Sequence, residues 1–387
     1  MEKLESAKDK QRIKWIDSLR GIASIFVILN HVSCCFYPGL MWSKYSDSAF
    51  SRLWLGSPLN ILTTGNTAVQ FFFVISGYLI TADITESEKQ NDIVEMIIKK
   101  IKKVVKISTP SILFAFILMK LGLMFNQSML QYGNQFFFAG QFNNFTPTLG
   151  SLIRDIFRVL VINSDYNRPL GFMATSLFGG ICTIILAKAL IGTDDKNAIK
   201  VCTMIYLISV WYYQKISSFY VGSLCYYCVF YIKERLLHIG KSKRIKDSFG
   251  VLLKRYLLLF IALYIMTYQD EATGIYTPLR FLISFAPVIR ALGVAVFIFW
   301  CEIYGERAIK ILSKTKLMIF LGNISAYIYS YHWPIILSVG CWLFGLLYEL
   351  GRGLRTALIT MACTILSIVM AYLTNVLFIS LKKKGAR

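Results

Sequence analysis

The chain has 387 residues, 56% of them hydrophobic and 15% aromatic, with a mean hydropathy of +0.56. Only 16% are charged, against about 25% in an ordinary soluble domain, and a soluble core of this size cannot hide so much apolar surface. A soluble enzyme, a disordered chain and a disulfide scaffold are therefore excluded. The net charge is +21, from 42 Lys and Arg against 21 Asp and Glu. In a soluble protein that balance would point to nucleic acid. Here the basic residues fall between apolar runs, which suits the positive-inside rule, so the expected partner is the lipid bilayer and not nucleic acid.

Apolar runs of roughly membrane-spanning length occur at about 16–36, 66–84, 107–126, 170–192, 200–213, 216–232, 256–268, 282–304, 322–347 and 355–380. They predict an all-α, polytopic membrane protein of about ten transmembrane helices. The first run is too long for a cleaved signal peptide, holds Arg20 and His31, and lacks a small-x-small end. With the N-terminus inside, the inner segments hold 29 Lys and Arg and the outer segments nine, with four more inside runs. That split predicts cytoplasmic termini and a multi-pass protein of the cell (inner) membrane. The expected organisation is one transmembrane domain over 1–387, with a basic cytoplasmic tail at about 1–15. An outer segment covers about 127–169, and no soluble domain is appended. The outer segment has no Lys and is rich in Asn, Gln and Phe. That suits a polar ligand such as sugar and equally suits a solvated loop.

The nine cysteines lie almost all inside apolar runs. Cys225 and Cys228 form a C-x-x-C within a Tyr- and Val-rich stretch, which reads as lipophilic filler rather than a redox or metal site.

Ionisable groups inside a membrane are costly and take the first functional reading. Span one runs Trp15-Ile-Asp17-Ser-Leu-Arg20 and ends at Asn30-His31. Eleven residues are about three helical turns, so Arg20 and His31 share one face, roughly 16 Å apart along the axis. Asp17 stands at i−3 from Arg20 and can orient it as an ion pair. One stripe thus carries a cation near the inner surface and a deep imidazole, the natural general base at neutral pH. The structural alternative is a snorkelling Arg20 paired with Asp17 and a His31 bonded to a backbone carbonyl. Asn30 lies about 100° around the helix from His31 and is not expected to orient it.

Further along, Ser76-Gly77 in span two reads as a kink or as part of a site. Lys99, Lys100, Lys102, Lys103 and Lys106 form a basic cluster, suited to anionic lipid or to the phosphates of a coenzyme A donor. Ser325 and His332 are seven residues apart and share a face. Tyr331-His332-Trp333-Pro334 can stack on sugar or form an aromatic belt. No metal is expected: H-E-x-x-H is absent, and the two membrane histidines lack neighbouring carboxylates in sequence.

Four stretches in order resemble the acyltransferase-3 family of membrane-bound acyltransferases. They are D-S-L-R-G-I-A followed at an R-x10-H spacing by His31; Gly65 to Tyr78, with Phe71-Phe72 and Ser76-Gly77; Lys102-Lys103-x-x-Lys106 ahead of Pro110, with Lys where Arg is usual; and Gly322 to Pro334. The resemblance covers essentially the whole chain. It implies an O-acyltransferase, most simply an acetyltransferase. The donor would be cytoplasmic acetyl-CoA or another acyl-CoA, with no bound cofactor. The acceptor would be a hydroxyl of an envelope glycan (O-antigen, capsule or exopolysaccharide) or of its lipid-linked precursor. His31 would be the catalytic base. Arg20, Lys103 and Lys106 would hold donor phosphates, and Ser76, Tyr331 and His332 would line the pocket. One departure stands out: where the family often carries P-L-W and, five residues after the Trp, Glu, this chain has Gly171 and Ser176. That departure keeps an inactive member as one alternative. A proton-coupled transporter or flippase is the other, although no internal repeat supports it.

Overall fold

The computed structural model describes residues 2–87, 92–133, 136, 138–238, 249–271 and 273–384. Lys89, Lys241, Lys243, Arg244, Lys246 and Arg387, counted above for the inside, lie outside the described residues, as do Asn134 and Gln135 of the outer segment.

The described residues form helices and connecting turns, with no strand among them. In chain order the α-helices are α1 (Glu2–Phe36), α2 (Ala49–Leu55), α3 (Gly65–Thr85), α4 (Ile93–Lys120), α5 (Leu149–Arg158), α6 (Gly171–Ala189), α7 (Asp195–Tyr212), α8 (Gln214–His238), α9 (Phe249–Met266), α10 (Ala286–Tyr304), α11 (Glu306–Lys314), α12 (Lys316–Ile335), α13 (Cys341–Leu346) and α14 (Arg352–Lys384). All ten apolar runs fall on this set. Among the described residues, five stretches are long and apolar enough to cross a membrane: Lys14–Phe36, Gly65–Thr85, Arg168–Ala189, Gly274–Tyr304 and Arg352–Leu381. The remaining runs lie on α4, α7, α8, α9 and α12–α13. The chain is a helical membrane protein: α14 leaves Met361, Ile365, Leu373 and Leu377 each about half exposed, as a lipid-facing surface requires.

Two runs differ in detail from their expected form. The third is the second half of a longer helix, because Asp92 caps α4 through Val94 N and the basic stretch continues without a break into the apolar one. The ninth is interrupted. Pro334 sits in α12, residues Ile336–Gly340 form a π turn, and α13 follows. The widened turn leaves a carbonyl for an outside donor, and Phe125 N donates to Leu337 O at 3.1 Å. The 127–169 segment, expected outside, is also more than a loop. Thr148 and Ser151 form a capping box that starts α5. On α5, Leu149, Ile153 and Phe157, at i, i+4 and i+8, stay exposed, which suits a helix lying in the bilayer interface.

The central contact joins α1 to α12. A Cβ on Gly21 would come within 2.6 Å of Gly322 N, and one on Gly322 would collide with Asp17 O. Both glycines are required by this close approach. Above it, His31 lies ten residues after Gly21 and His332 ten residues after Gly322, and their rings meet at 4.8 Å. Equal offsets mean that the two helices run parallel and in step. A second glycine contact joins α3 to α8, where Gly77 faces the Phe219 carbonyl and Gly222 the Val74 carbonyl. The cysteines act as filler here, as Cys225 Sγ donating to Ala295 O at 3.3 Å illustrates.

Gly322→Leu is expected to lower the thermal midpoint in detergent, at a cost of at least about 1–3 kcal/mol from overpacking. An unchanged midpoint would contradict the α1–α12 contact.

Candidate active site

Two places on the α1 stripe carry chemistry. The lower one is a cavity of about 110 Å³ between α1, α3, α4, α6 and α12. Its lining includes Arg20, Ser76, Lys100, Lys103, Ser176 and Tyr329, with Phe72, Phe73 and Phe172 as apolar walls. Three cations and no carboxylate face this space. Arg20 is held from the side by Asp17 at 3.3 Å, and its Nε is buried without a partner. Lys100 and Lys103 precede the apolar half of α4. Burial, followed by repulsion from Lys103 and Arg20, holds the Lys100 ammonium down at about 8. Burial and Arg20 lower Lys103 as well. Such a cluster is costly when empty and is relieved by an anion.

Glycines of α6 make room for this cluster. A Cβ on Gly180 would overlap the Lys100 side chain, and one on Gly179 the Phe219 ring. Gly171 is equally constrained, since its Cβ would strike the Asn163 side chain, so the family's Trp does not fit here without rearrangement. Ser176 does line the cavity. A carboxylate at that position would face the three cations.

The upper place is the histidine pair. His31 Nδ1 lies 3.0 Å from Val27 O and His332 Nδ1 lies 2.5 Å from Tyr329 O. A carbonyl only accepts, so each Nδ1 carries the proton and each Nε2 presents a lone pair. His332 is fully buried and its Nε2 has no partner. Trp333 stacks edge-on to His31 at 5.3 Å, and its indole donates to Gln141 Oε1 at 3.2 Å, so the 127–169 segment contacts the ring that packs on His31. Asn167, also in that segment, donates to Ser330 O at 2.7 Å. Tyr329 connects the two places. It lines the lower cavity, its ring lies 5.4 Å from His332, and its hydroxyl is fixed by Pro169 O at 2.7 Å.

The sequence-predicted residues therefore divide. Arg20, Ser76 and Lys103 meet in the lower cavity, and His31 meets His332 above it. Ser76 also bonds Phe72 O at 2.6 Å. Ser325 is buried and donates to Gly322 O at 2.8 Å, beside the α1–α12 contact. Lys106 and Tyr331 are not brought in. Lys106 Nζ lies 4.7 Å above the Phe378 ring of α14, and Tyr331 OH bonds Thr374 at 2.8 Å. The reason is helical phase: Tyr331 stands about 100° from His332 and about 200° from Tyr329. Asn30 bonds Thr63 O at 2.5 Å and does not orient His31. Lys100 of the basic cluster lines the lower cavity and Trp333 packs on His31, while Tyr329, which had no role assigned from sequence, joins the two places.

The acyltransferase-3 family model, an acyltransferase domain, matches residues 13–376. The chain belongs to this family. No curated protein and no solved structure matches it. Family membership supports an acyltransferase activity, and the lower cavity and the histidine pair both lie within the matched range.

Inorganic pyrophosphate is expected to raise the thermal midpoint of the wild type by binding the folded state. The shift should shrink to near zero in Lys100→Met and in Gly180→Val, which displaces Lys100. Equal shifts in all three proteins would exclude anion binding at this cavity.

Proposed function

We propose that the protein is an inner-membrane O-acetyltransferase that moves an acetyl group from cytoplasmic acetyl-CoA to a hydroxyl of an envelope glycan or its lipid-linked precursor. The observation that carries this reading is the arrangement along α1: an anion-attracting cavity at Arg20, Lys100 and Lys103, then an imidazole pair with both Nε2 atoms available, joined by Tyr329. Donor phosphates would be held at the cations, and the flexible arm of the donor would extend past Tyr329 toward His31. His31 Nε2 takes the proton from the acceptor hydroxyl as its oxygen attacks the thioester carbonyl. The C–S bond breaks, and the proton passes from His31 to the departing thiolate. His332, 4.8 Å away, holds the acceptor hydroxyl or passes the proton on.

The reading includes ten spans, cytoplasmic termini and a single domain over the whole chain. The charge count supports it, and so do contacts between segments given the same side. Arg352 pairs with Asp47 at 2.6 Å and Glu271 accepts from Ser43 N at 2.7 Å in the outer set, while Lys233 pairs with Glu302 in the inner set.

His31→Ala is expected to cut transfer by about 10²–10⁴-fold with normal insertion, the usual loss for a general base; activity within threefold of wild type would exclude the role. For the donor, kcat/KM is expected to fall as pH rises through about 8, because Lys100 then loses its charge. Lys100→Arg should flatten that limb, whereas an unchanged profile would remove Lys100 from donor binding. A reporter fused at residue 145 should be outside the cell membrane, and cytoplasmic signal there would overturn the topology.

A further inference from the structure

A second polar cavity lies at the other end of the bundle, away from Lys100 and Lys103. It holds about 230 Å³ and is framed by the end of α1, the start of α3, the turn after α9 and the first turns of α10. Its lining is unlike that of the donor cavity. Asn30, Asn60, Asn66 and Gln269 contribute planar amides, Trp42 an aromatic face, and Asp270, Glu271 and Arg290 charged groups. Counting these three, the lining carries one negative charge in excess, which disfavours a phosphate-bearing ligand.

The cavity is cross-braced. Asn66 Nδ2 donates to Asp270 Oδ2 at 3.0 Å, and Glu271 ties the 43–45 turn through Ser43 N at 2.7 Å. Asn60 Nδ2 bonds Thr267 O at 3.2 Å. Arg290 supplies the independent sign of a ligand. It is 2% exposed, and its NH1 is held by Asp270 Oδ1 at 2.8 Å and Tyr268 O at 3.1 Å. Its Nε lies buried with no acceptor on a side chain that lines the cavity. A buried N–H of a guanidinium calls for an oxygen acceptor.

We infer that this cavity is a binding subsite for an uncharged sugar ring of the acceptor, with Trp42 against the ring, the amides and Glu271 on its hydroxyls, and Arg290 Nε on a ring or hydroxyl oxygen. The inference rests on the acetyltransferase reading for the word acceptor, but the binding does not. Asn30 and His31 are adjacent on α1 and about 100° apart. The subsite and the imidazole pair therefore flank one helix at the same depth, so that a chain of sugars held on one side presents a neighbouring hydroxyl to the other.

The test uses the full chain in lipid nanodiscs, titrated with a neutral hexose tetrasaccharide, an N-acetylhexosamine tetrasaccharide and a uronic-acid tetrasaccharide while tryptophan fluorescence is followed. A saturable change is expected with at least one uncharged probe. It should be lost in Trp42→Phe, weakened about tenfold in Asn66→Ala and in Glu271→Gln, and weaker for the uronic acid. Asn66 is exposed, so its variant is expected to fold, which thermal unfolding checks. In transfer assays Asn66→Ala should raise the acceptor KM about tenfold and leave the donor KM unchanged. Saturable binding without transfer would sink the acetyltransferase reading and keep the subsite. Transfer with an unchanged acceptor KM, or no saturable binding to either uncharged probe, would overturn the subsite.

Discussion

The approach of α1 to α12 at Gly21 and Gly322 governs the geometry above and below it. With no side chain on either glycine, the backbones come near enough for small residues to replace the hydrophobic drive that is missing between helices in lipid. Ten residues on, roughly 15 Å along both axes, the gap is still narrow enough for His31 and His332 to meet ring to ring. Below the contact, Asp17 lends its carbonyl to the Gly322 face and its carboxylate to Arg20. The cation and the imidazole of the stripe are thus referred to one fixed point rather than to mobile loops.

The two places on the stripe are polar for different reasons. The lower cavity concentrates positive charge in a water-poor space, where Coulomb interactions are strong. Gly180 leaves the space in which the end of the Lys100 side chain packs, and repulsion from Lys103 and Arg20 remains there until an anion relieves it. The histidine pair is neutral and directional. Each imidazole spends its proton on the carbonyl of the preceding turn, which locks the ring and leaves the other nitrogen for chemistry. Arg20 is fixed by the Asp17 carboxylate and the imidazoles by helix backbone, and Gln141 and Asn167 bring the 127–169 segment onto α12.

Much of this was legible in the sequence. The ten apolar runs fall on helical regions because backbone in a bilayer must satisfy its own hydrogen bonds. The Arg20–His31 stripe follows from helical phase alone. Phase alone does not divide the lysines of α4, because Lys103 lies about 60° from Lys100 and about 60° from Lys106; the Phe378 ring of α14 under Lys106 does. Tyr329, at i−3 from His332, was by phase a better pocket residue than Tyr331. What no local pattern held was the pairing of α1 with α12, about three hundred positions away, and the contact of Gln141 with Trp333. Pro334 announced a disturbed helix but not that Phe125 would fill the π turn.

The equal ten-residue offsets from glycine to histidine on α1 and α12 make the pair of helices a ruler. Inserting one residue between Gly21 and His31 would turn the imidazole by about 100° and lift it by about 1.5 Å, carrying it off His332 and toward the side that Val32 now occupies. Deletion does the reverse, and only matched changes in both helices preserve the meeting. Length variation among relatives of this chain should therefore collect in the connections and at the ends of the helices, while the interval between contact and imidazole stays constant on both strands of the ruler.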